Sequence, residues 1–222
     1  MDHTRTLFLG KNRPLCQRHG WSPWCGMMVV ACLLLSLWAS TEAAEQRGPA
    51  PGPNDRQITL AVKSYLEREH FLRHPIDDEI AARWFDTFLE ALDPQKVYFL
   101  QSDVDAFAAK KNLLDDLVRR GDVSFAYEVY DRFLQRIDER LPWVEKLLAT
   151  TLDFNRDESI VIDPDETTWA QTPAEAQEKW RKRIKYDLLV QKMEKTSPQE
   201  AREKLGRRYR SFSKRMHQTS AD

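Results

Sequence analysis

Apolar residues recur at helical spacing through almost all of the chain from Ile58 onward. Residues three or four positions apart lie on one face of an α-helix, so each stripe predicts an amphipathic helix. The first four stripes are Ile58, Val62, Tyr65 and Leu66; Ile80, Trp84, Phe85, Phe88, Leu89 and Leu92; Val104, Phe107, Leu114, Leu117 and Val118; and Phe125, Val129, Phe133, Ile137 and Leu141. Successive amphipathic helices with short connections predict an all-α fold, an antiparallel helical bundle.

Local start and stop signals divide these stripes. His74-Pro75 ends the first helix, because proline disfavours helical geometry in the residue before it. Asp77 is expected to cap the second helix, and Gly121 is a natural left-handed end for the third. Pro142 lies within the long fourth stripe, where it either kinks the helix or restarts it.

A corner is predicted between the second and third helices, where Leu92–Phe107 reads LDPQKVYFLQSDVDAF. Pro94 moves Asp93 out of the helical region. Ser102 is expected to be the N-cap of the next helix, which has acidic residues in its first turn. The apolar cluster Val97–Leu100 lies between these signals, so we expect a buried aromatic plug.

Residues 152–172 interrupt the helical pattern and form one irregular acidic loop. Its only β-like run, Ser159–Ile162, is too short to build a sheet within this chain. Thr172 and Ser197 each open a capping box with proline at the first helical position. The stripes that follow are Trp180, Ile184, Leu188 and Leu189, then Leu205, Tyr209, Phe212 and Met216. Two capped helices joined by a short turn predict a C-terminal αα-hairpin.

The first forty or so residues have a different composition. A basic stretch is followed by the uncharged apolar run Met27–Trp38, which ends in small residues. This pattern is typical of a secretory signal peptide. The run is far shorter than the roughly 20 residues that span a membrane. We therefore expect residues 1–43 to be a signal peptide; an uncleaved leader that anchors the protein to the membrane is the alternative.

The predicted domains follow from this division. Residues 44–55 are a flexible proline- and glycine-rich linker, residues 56–217 are the helical domain, and residues 218–222 are a disordered tail. All three cysteines, Cys16, Cys25 and Cys32, lie in the leader. A mature chain without them has neither a disulfide nor a cysteine nucleophile.

The acidic loop contains part of a calcium-binding pattern. Asp153, Asn155 and Asp157 match the first three ligand positions of a calcium loop. However, Glu158 replaces the sharp-turn glycine, and Pro164 stands where the bidentate glutamate belongs. Coordination would be incomplete, so we expect a solvated acidic loop.

Two further motifs resemble catalytic or metal sites. His70 and His74 are four residues apart, as zinc ligands on a helix are, but Pro75 ends the helix and no helical glutamate completes the motif. Ser211 and Lys214 match a serine-x-x-lysine acylation pattern without its companion motifs. We expect no metal, no cofactor and no catalytic residue among these.

Basic residues far outnumber acidic ones between Lys179 and Arg215. Such a charge excess suits phosphate binding, but no nucleic-acid recognition motif accompanies it, and an exported protein seldom meets nucleic acid. We expect no nucleic-acid partner. Instead, the basic hairpin is expected to face an acidic surface of the same polypeptide or of a partner.

Four ordered segments resemble the N-terminal helical domain of the tail-specific, or C-terminal processing, proteases. They are Leu92–Phe107, Phe154–Glu158, Trp180–Leu189 and Leu205–Arg215. In that family the helical region is followed by a PDZ domain, which recognises substrate C-termini, and by a serine protease domain with a serine–lysine dyad. The resemblance implies a periplasmic, non-catalytic domain that supports the protease body and the enclosure of substrate.

Two hypotheses follow from this resemblance, because the chain stops at Asp222, where the PDZ domain would begin, and has no position that matches the dyad. In the first, it is part of a truncated or split protease and is inactive alone. Its partners are then the PDZ and protease domains of the same or an adjacent polypeptide, with unfolded substrates or an adaptor as further candidates. In the second, it is a stand-alone periplasmic scaffold, adaptor or inhibitor that binds a protease partner.

Overall fold

α-Helices form the regular secondary structure of the computed structural model, which describes residues 50–71 and 73–219. The helices are α1 (Asp55–Glu69), α2 (Asp78–Leu92), α3 (Gln101–Ala108), α4 (Leu114–Arg120), α5 (Ser124–Ala149), α6 (Pro173–Met193) and α7 (Pro198–Thr219). Within these described ranges there is no β-strand, only an isolated bridge between Leu100 and Ala170. The all-α prediction is confirmed.

The ends of the predicted domain scheme lie outside the described residues. These are the predicted signal peptide 1–43, the first part of the predicted linker, 44–49, and residues 220–222 of the predicted tail. Between them, α1 begins at Asp55, and α7 continues through Thr219.

Two large hydrophobic cores hold the helices together, beside a small cluster of Leu100, Ala170 and Ala176. The first contains Ala81, Phe85, Leu89, Phe99, Val104, Phe107, Leu114, Phe125, Val129, Phe133, Leu134 and Ile137. The second contains Val144, Leu148, Trp180, Ile184, Leu188, Ala201, Leu205 and Tyr209. Tyr98 packs against both. Because α5 contributes to both cores and α6 packs on α7, the predicted hairpin is joined to the rest of the bundle along one long helix.

The long helix α5 passes through Pro142 without ending. At about 1.5 Å per residue, its 26 residues span about 39 Å. Of the two alternatives predicted at Pro142, a kink or a restart, the restart does not occur. By contrast, the predicted third helix is divided into α3 and α4 by a 3₁₀ turn at Lys111–Leu113. Its apolar spacing did not reveal the break, because Phe107 and Leu114 are two helical turns apart and both remain buried in the first core.

The predicted helix ends are confirmed at several positions. Asp77 accepts a hydrogen bond from Ile80 N at 3.1 Å, and Thr172 Oγ1 accepts one from Glu175 N at 3.2 Å. Gly121 ends α4 with a φ of 70°, and the next residue, Asp122, donates its N–H to Leu117 O. This is the Schellman arrangement that favours glycine.

The apolar stripe of α1 is exposed rather than buried. Ile58, Val62 and Tyr65 are 58%, 52% and 64% exposed, respectively. Polar contacts hold this helix instead: Tyr127 OH donates to Asp55 Oδ2 at 2.8 Å, and Ile76 N donates to Glu67 Oε1 at 3.3 Å. The amphipathic stripe therefore predicted the helix, but not that its apolar face would be exposed to solvent.

Candidate functional site

The corner between α2 and α3 is organised around the buried carboxylate of Asp93. Its Oδ1 accepts the N–H of Val97 at 2.9 Å, and its Oδ2 accepts those of Tyr98 and Phe99 at 3.0 and 3.1 Å. Burial raises the pKa of Asp93, whereas these N–H groups act in the opposite direction. The side chain thus fixes the turn that the sequence predicted only as a helix stop.

A second carboxylate, that of Asp103, joins the corner to α5. Its Oδ2 accepts the N–H of Leu100 at 2.9 Å and Arg136 Nε at 2.8 Å, while its Oδ1 accepts Arg136 Nη2 at 2.9 Å. Burial raises the pKa of Asp103, but the Arg136 guanidinium and the Leu100 N–H outweigh it and hold the pKa below its usual value. This bidentate pair connects residues that are distant in sequence.

The predicted cap at Ser102 is wrong. Ser102 is exposed and the helix begins at Gln101, with Leu100 in the capping position. Leucine has no side-chain acceptor, so the reach of Asp103 back to the Leu100 N–H supplies the polar contact at this end. Sequence alone favoured serine, because Arg136, the half-buried partner of Asp103, comes from a different helix.

Donors from α5 and α6 close the corner. Trp180 Nε1 donates to Val97 O at 2.9 Å, and Arg140 Nη2 donates to Tyr98 O at 3.0 Å. The Tyr98 ring also meets the Trp180 ring edge-on, with centroids 5.4 Å apart. The residues between Asp93 and Leu100 are therefore held by helices from both halves of the described chain.

A pocket of about 260 Å³ opens beside this corner, between the irregular loop and α6. Its charged lining residues are Lys179, Lys182, Arg183 and Glu166, so positive charge predominates. Lys179 Nζ donates to Thr168 O, and burial lowers the pKa of this lysine. Lys182 and Arg183, by contrast, make no ion pair or side-chain hydrogen bond within residues 50–71 and 73–219. The pocket can therefore attract an anionic group.

The irregular loop is attached to α6 through Glu158. This carboxylate pairs with Arg181, and with Lys185 Nζ at 2.7 Å. Hydrogen bonds from Arg181 and Lys185 lower the pKa of Glu158 to about 2. Part of the basic hairpin thus faces a carboxylate of its own chain.

The same contact gives a pH prediction. The pKa of Glu158 is about 2 in the folded protein, against an ordinary value of 4.5. Its ion pairs therefore stabilise the fold above pH 4.5, and this stabilisation is lost as the pH falls toward 2. We expect Glu158→Gln to melt below the wild type at pH 6, with the difference shrinking between pH 4.5 and pH 2. Thermal melts monitored by circular dichroism measure it. The control is Asp157→Asn at the neighbouring exposed carboxylate, and a Glu158→Gln difference that does not change with pH would contradict the assignment.

The calcium-loop residues do not form a metal site in the structure. Asp153 Oδ1 accepts the N–H of Asn155 at 2.9 Å, and Asp153, Asn155 and Asp157 are exposed. Among the residues that the structure describes, no group of three histidine, cysteine or carboxylate side chains is arranged to hold a metal ion. Glu158, at the position where a calcium loop needs glycine, is turned to α6 instead.

The histidine and serine–lysine motifs are placed apart from this pocket. His70 follows the last residue of α1 in an extended conformation, so it and His74 do not share a helix face. His74 lies with Nδ1 2.8 Å from Pro75 O. Ser211 and Lys214 are exposed on α7, beside the buried stripe that continues through Tyr209, as the flanking positions of that stripe predict.

Sequence reasoning missed the pocket, although it singled out the basic α6 residues. Ser159–Val161 and Thr167–Thr168 become its wall only when the loop folds back over α6. The one available signal was the unusual apolar, β-like run within an otherwise acidic loop.

None of the helices in the described ranges has the length and apolar character needed to cross a membrane.

Comparison with known proteins shows similarity to one family model and to curated relatives. The family model of the tail-specific protease N-terminal domain matches residues 62–222. A tail-specific protease of Haemophilus influenzae is 31% identical over 175 residues, which is 78% of this chain and 25% of that protein. The matched stretch thus spans about a quarter of the relative's length. The family-model match, residues 62–222, contains the corner, the pocket and the basic hairpin.

Proposed function

Because this chain belongs to the family of the tail-specific protease N-terminal domain, we propose that it is the non-catalytic helical part of an exported, periplasmic protease. In this role it supports the serine protease body and contributes to the enclosure of substrate. The family match over residues 62–222 carries the proposal. The peptide bond is cut by a separate domain, and Ser211 and Lys214 take no part.

The packing of the corner supports a structural role. Asp93, Arg140 and Trp180 all use buried polar groups to hold the backbone between α2 and α3. Polar groups that are buried and hydrogen-bonded in this way fix one arrangement of the helices, because breaking any of them leaves a desolvated partner. A helical body of this kind can hold a neighbouring domain in a fixed position.

The exposed stripe of α1 supports docking to a larger body. Ile58, Val62 and Tyr65 lie at positions i, i+4 and i+7 of one helix, so they share one face. All three are more than half exposed. A contiguous apolar face on a soluble protein marks an interaction surface. We propose that this α1 face packs against the protease body.

A purified chain that lacks its body is expected to self-associate through the α1 face. Sedimentation velocity as a function of concentration measures this. The double variant Ile58→Glu/Val62→Glu should sediment as a monomer with little change in melting temperature, because both side chains are exposed. The control Leu113→Glu/Met193→Glu replaces two exposed apolar residues elsewhere and should associate as the wild type does.

A sharply monomeric, highly stable wild-type chain would contradict this docking role. It would favour the second candidate function, a stand-alone periplasmic scaffold, adaptor or inhibitor that binds a protease partner. The observation in favour of that candidate is that the described helices cover both of these cores themselves: their buried residues lie between Ala81 and Tyr209, and Phe212 and Met216 of α7 pack against the first. The helices can therefore fold without another chain.

A further inference from the structure

The loop segment Ser159–Ile162 has the composition of a β-strand without the pairing of one. Within residues 50–71 and 73–219, its backbone N–H and C=O groups have no hydrogen-bond partner. Val161 and Ile162 are 54% and 53% exposed. β-Branched residues are enriched in strands, and an exposed apolar strand edge is a template for pairing with another chain.

The segment crosses α6 between two cavities. The pocket of about 260 Å³ lies on one side and a smaller one of about 90 Å³ on the other, and Ser159, Ile160 and Lys182 border both. The larger volume is below the roughly 300–1,000 Å³ of small-molecule sites. It therefore suits a side chain of a bound peptide better than a free metabolite.

Charge selects the kind of peptide. Lys182 and Arg183 line the larger pocket and form no close ion pair with a carboxylate among the described residues, although the charge of Lys182 contributes to lowering the pKa of Glu178. The other cations of this part of α6, Arg181 and Lys185, are already paired with Glu158. The two unpaired cations are thus available to an incoming carboxylate, whereas the paired ones hold the wall of the site in place.

We propose that Ser159–Ile162 receives an extended acidic segment of another protein by strand addition, with carboxylates of that segment on Lys182 and Arg183. Main-chain hydrogen bonds give such a complex its affinity, and pockets for alternate side chains give it its specificity. In an extended conformation the four residues span about 13 Å, enough for a short paired strand. The proposal goes beyond the support role and stands on this pocket alone.

A blocked, fluorescein-labelled peptide of four Glu-Val repeats tests the proposal by fluorescence anisotropy with the full chain. We expect saturable binding that weakens as salt increases, since the ion pairs are partly exposed. Lys182→Ala/Arg183→Ala should weaken binding at least tenfold. The matched control is Lys214→Ala/Arg215→Ala, an adjacent basic pair on α7, which should bind as the wild type does.

A second pair of peptides tests the backbone pairing without changing the protein. Two Glu-Val peptides are used, one N-methylated at every Glu and the other at every Val, so that each loses the N–H donors of one strand edge. The peptide that loses the donors of the pairing edge should bind at least tenfold more weakly than the other. A Lys-Val peptide should not bind. Equal binding of all these peptides, no binding of the Glu-Val peptide, or equal loss in the Lys214/Arg215 control would overturn the proposal. Tighter binding of a single-stranded oligonucleotide to the same Lys182/Arg183 pair would also overturn it, in favour of a phosphate site.

Discussion

Replacement of Asp93 by alanine is expected to lower the free energy of unfolding by at least about 3 kcal/mol. The carboxylate accepts three backbone N–H groups, from Val97, Tyr98 and Phe99. Each donor left unsatisfied in a buried position costs about 1–3 kcal/mol. Urea unfolding at neutral pH, followed by circular dichroism, measures the difference.

Two control variants separate this effect from the loss of an acidic side chain. Asp93→Asn keeps one carbonyl oxygen that can still accept a hydrogen bond, so it should cost less than Asp93→Ala. It should still lower the stability, because its amide nitrogen cannot accept the remaining donors. Asp105→Ala removes an exposed carboxylate from the adjoining helix α3 and should change stability by no more than about 0.5 kcal/mol. If Asp93→Ala and Asp105→Ala were equally stable, Asp93 would not organise the corner.

Trp180→Ala is expected to have an effect of similar or greater size, about 3–5 kcal/mol. Trp180 is buried in the second core, where its ring meets those of Tyr98 and Tyr209 at centroid distances of 5.4 and 5.5 Å. Its removal creates a cavity and also leaves Val97 O without the indole donor. A domain of 150–250 residues loses about 2–4 °C in melting temperature per kcal/mol, so the variant should melt about 10 °C lower.

Trp180→Phe distinguishes the two contributions. Phenylalanine keeps an aromatic ring but cannot donate to Val97 O, so we expect a smaller loss, about 1–3 kcal/mol. Leu189→Ala is a control on the same helix, because that side chain is substantially exposed and should contribute little. A Trp180→Ala variant as stable as Leu189→Ala would show that the ring does not fasten α6 to the corner.

The parts of the fold that depend on local chemistry could be predicted from sequence. Asp77, Gly121 and Thr172 each define a helix end through contacts with residues only a few positions away in sequence. The structure confirms all three ends. Ser102 failed as a cap because the choice of Asp103 depends on Arg136, which is brought close only by folding. The apolar spacing of α1 did not predict that its stripe would be exposed, for a similar reason. Spacing shows that these residues share a helix face, but not which other helix, if any, covers that face.

The pocket required contacts that no spacing rule contains. Its wall is an irregular loop held to α6 by Glu158. In the sequence, Glu158 counted against a calcium loop and belonged to a family-like segment. Its pairing with Arg181 and Lys185 spans more than twenty positions, so neither observation pointed to it. The basic residues of α6 were visible from composition. The sequence did not show which of these basic residues lack an ion pair, because that depends on the path of the loop.

The most direct test of a non-catalytic support role is a cleavage assay on the purified chain. We expect an unfolded protein and a peptide with an apolar C-terminus both to remain intact after prolonged incubation, as followed by mass spectrometry. A Ser211→Ala/Ser213→Ala variant is the matched control for adventitious activity. Intact substrates with both proteins are the predicted result; cleavage by the wild type that is lost in the double variant would contradict the account.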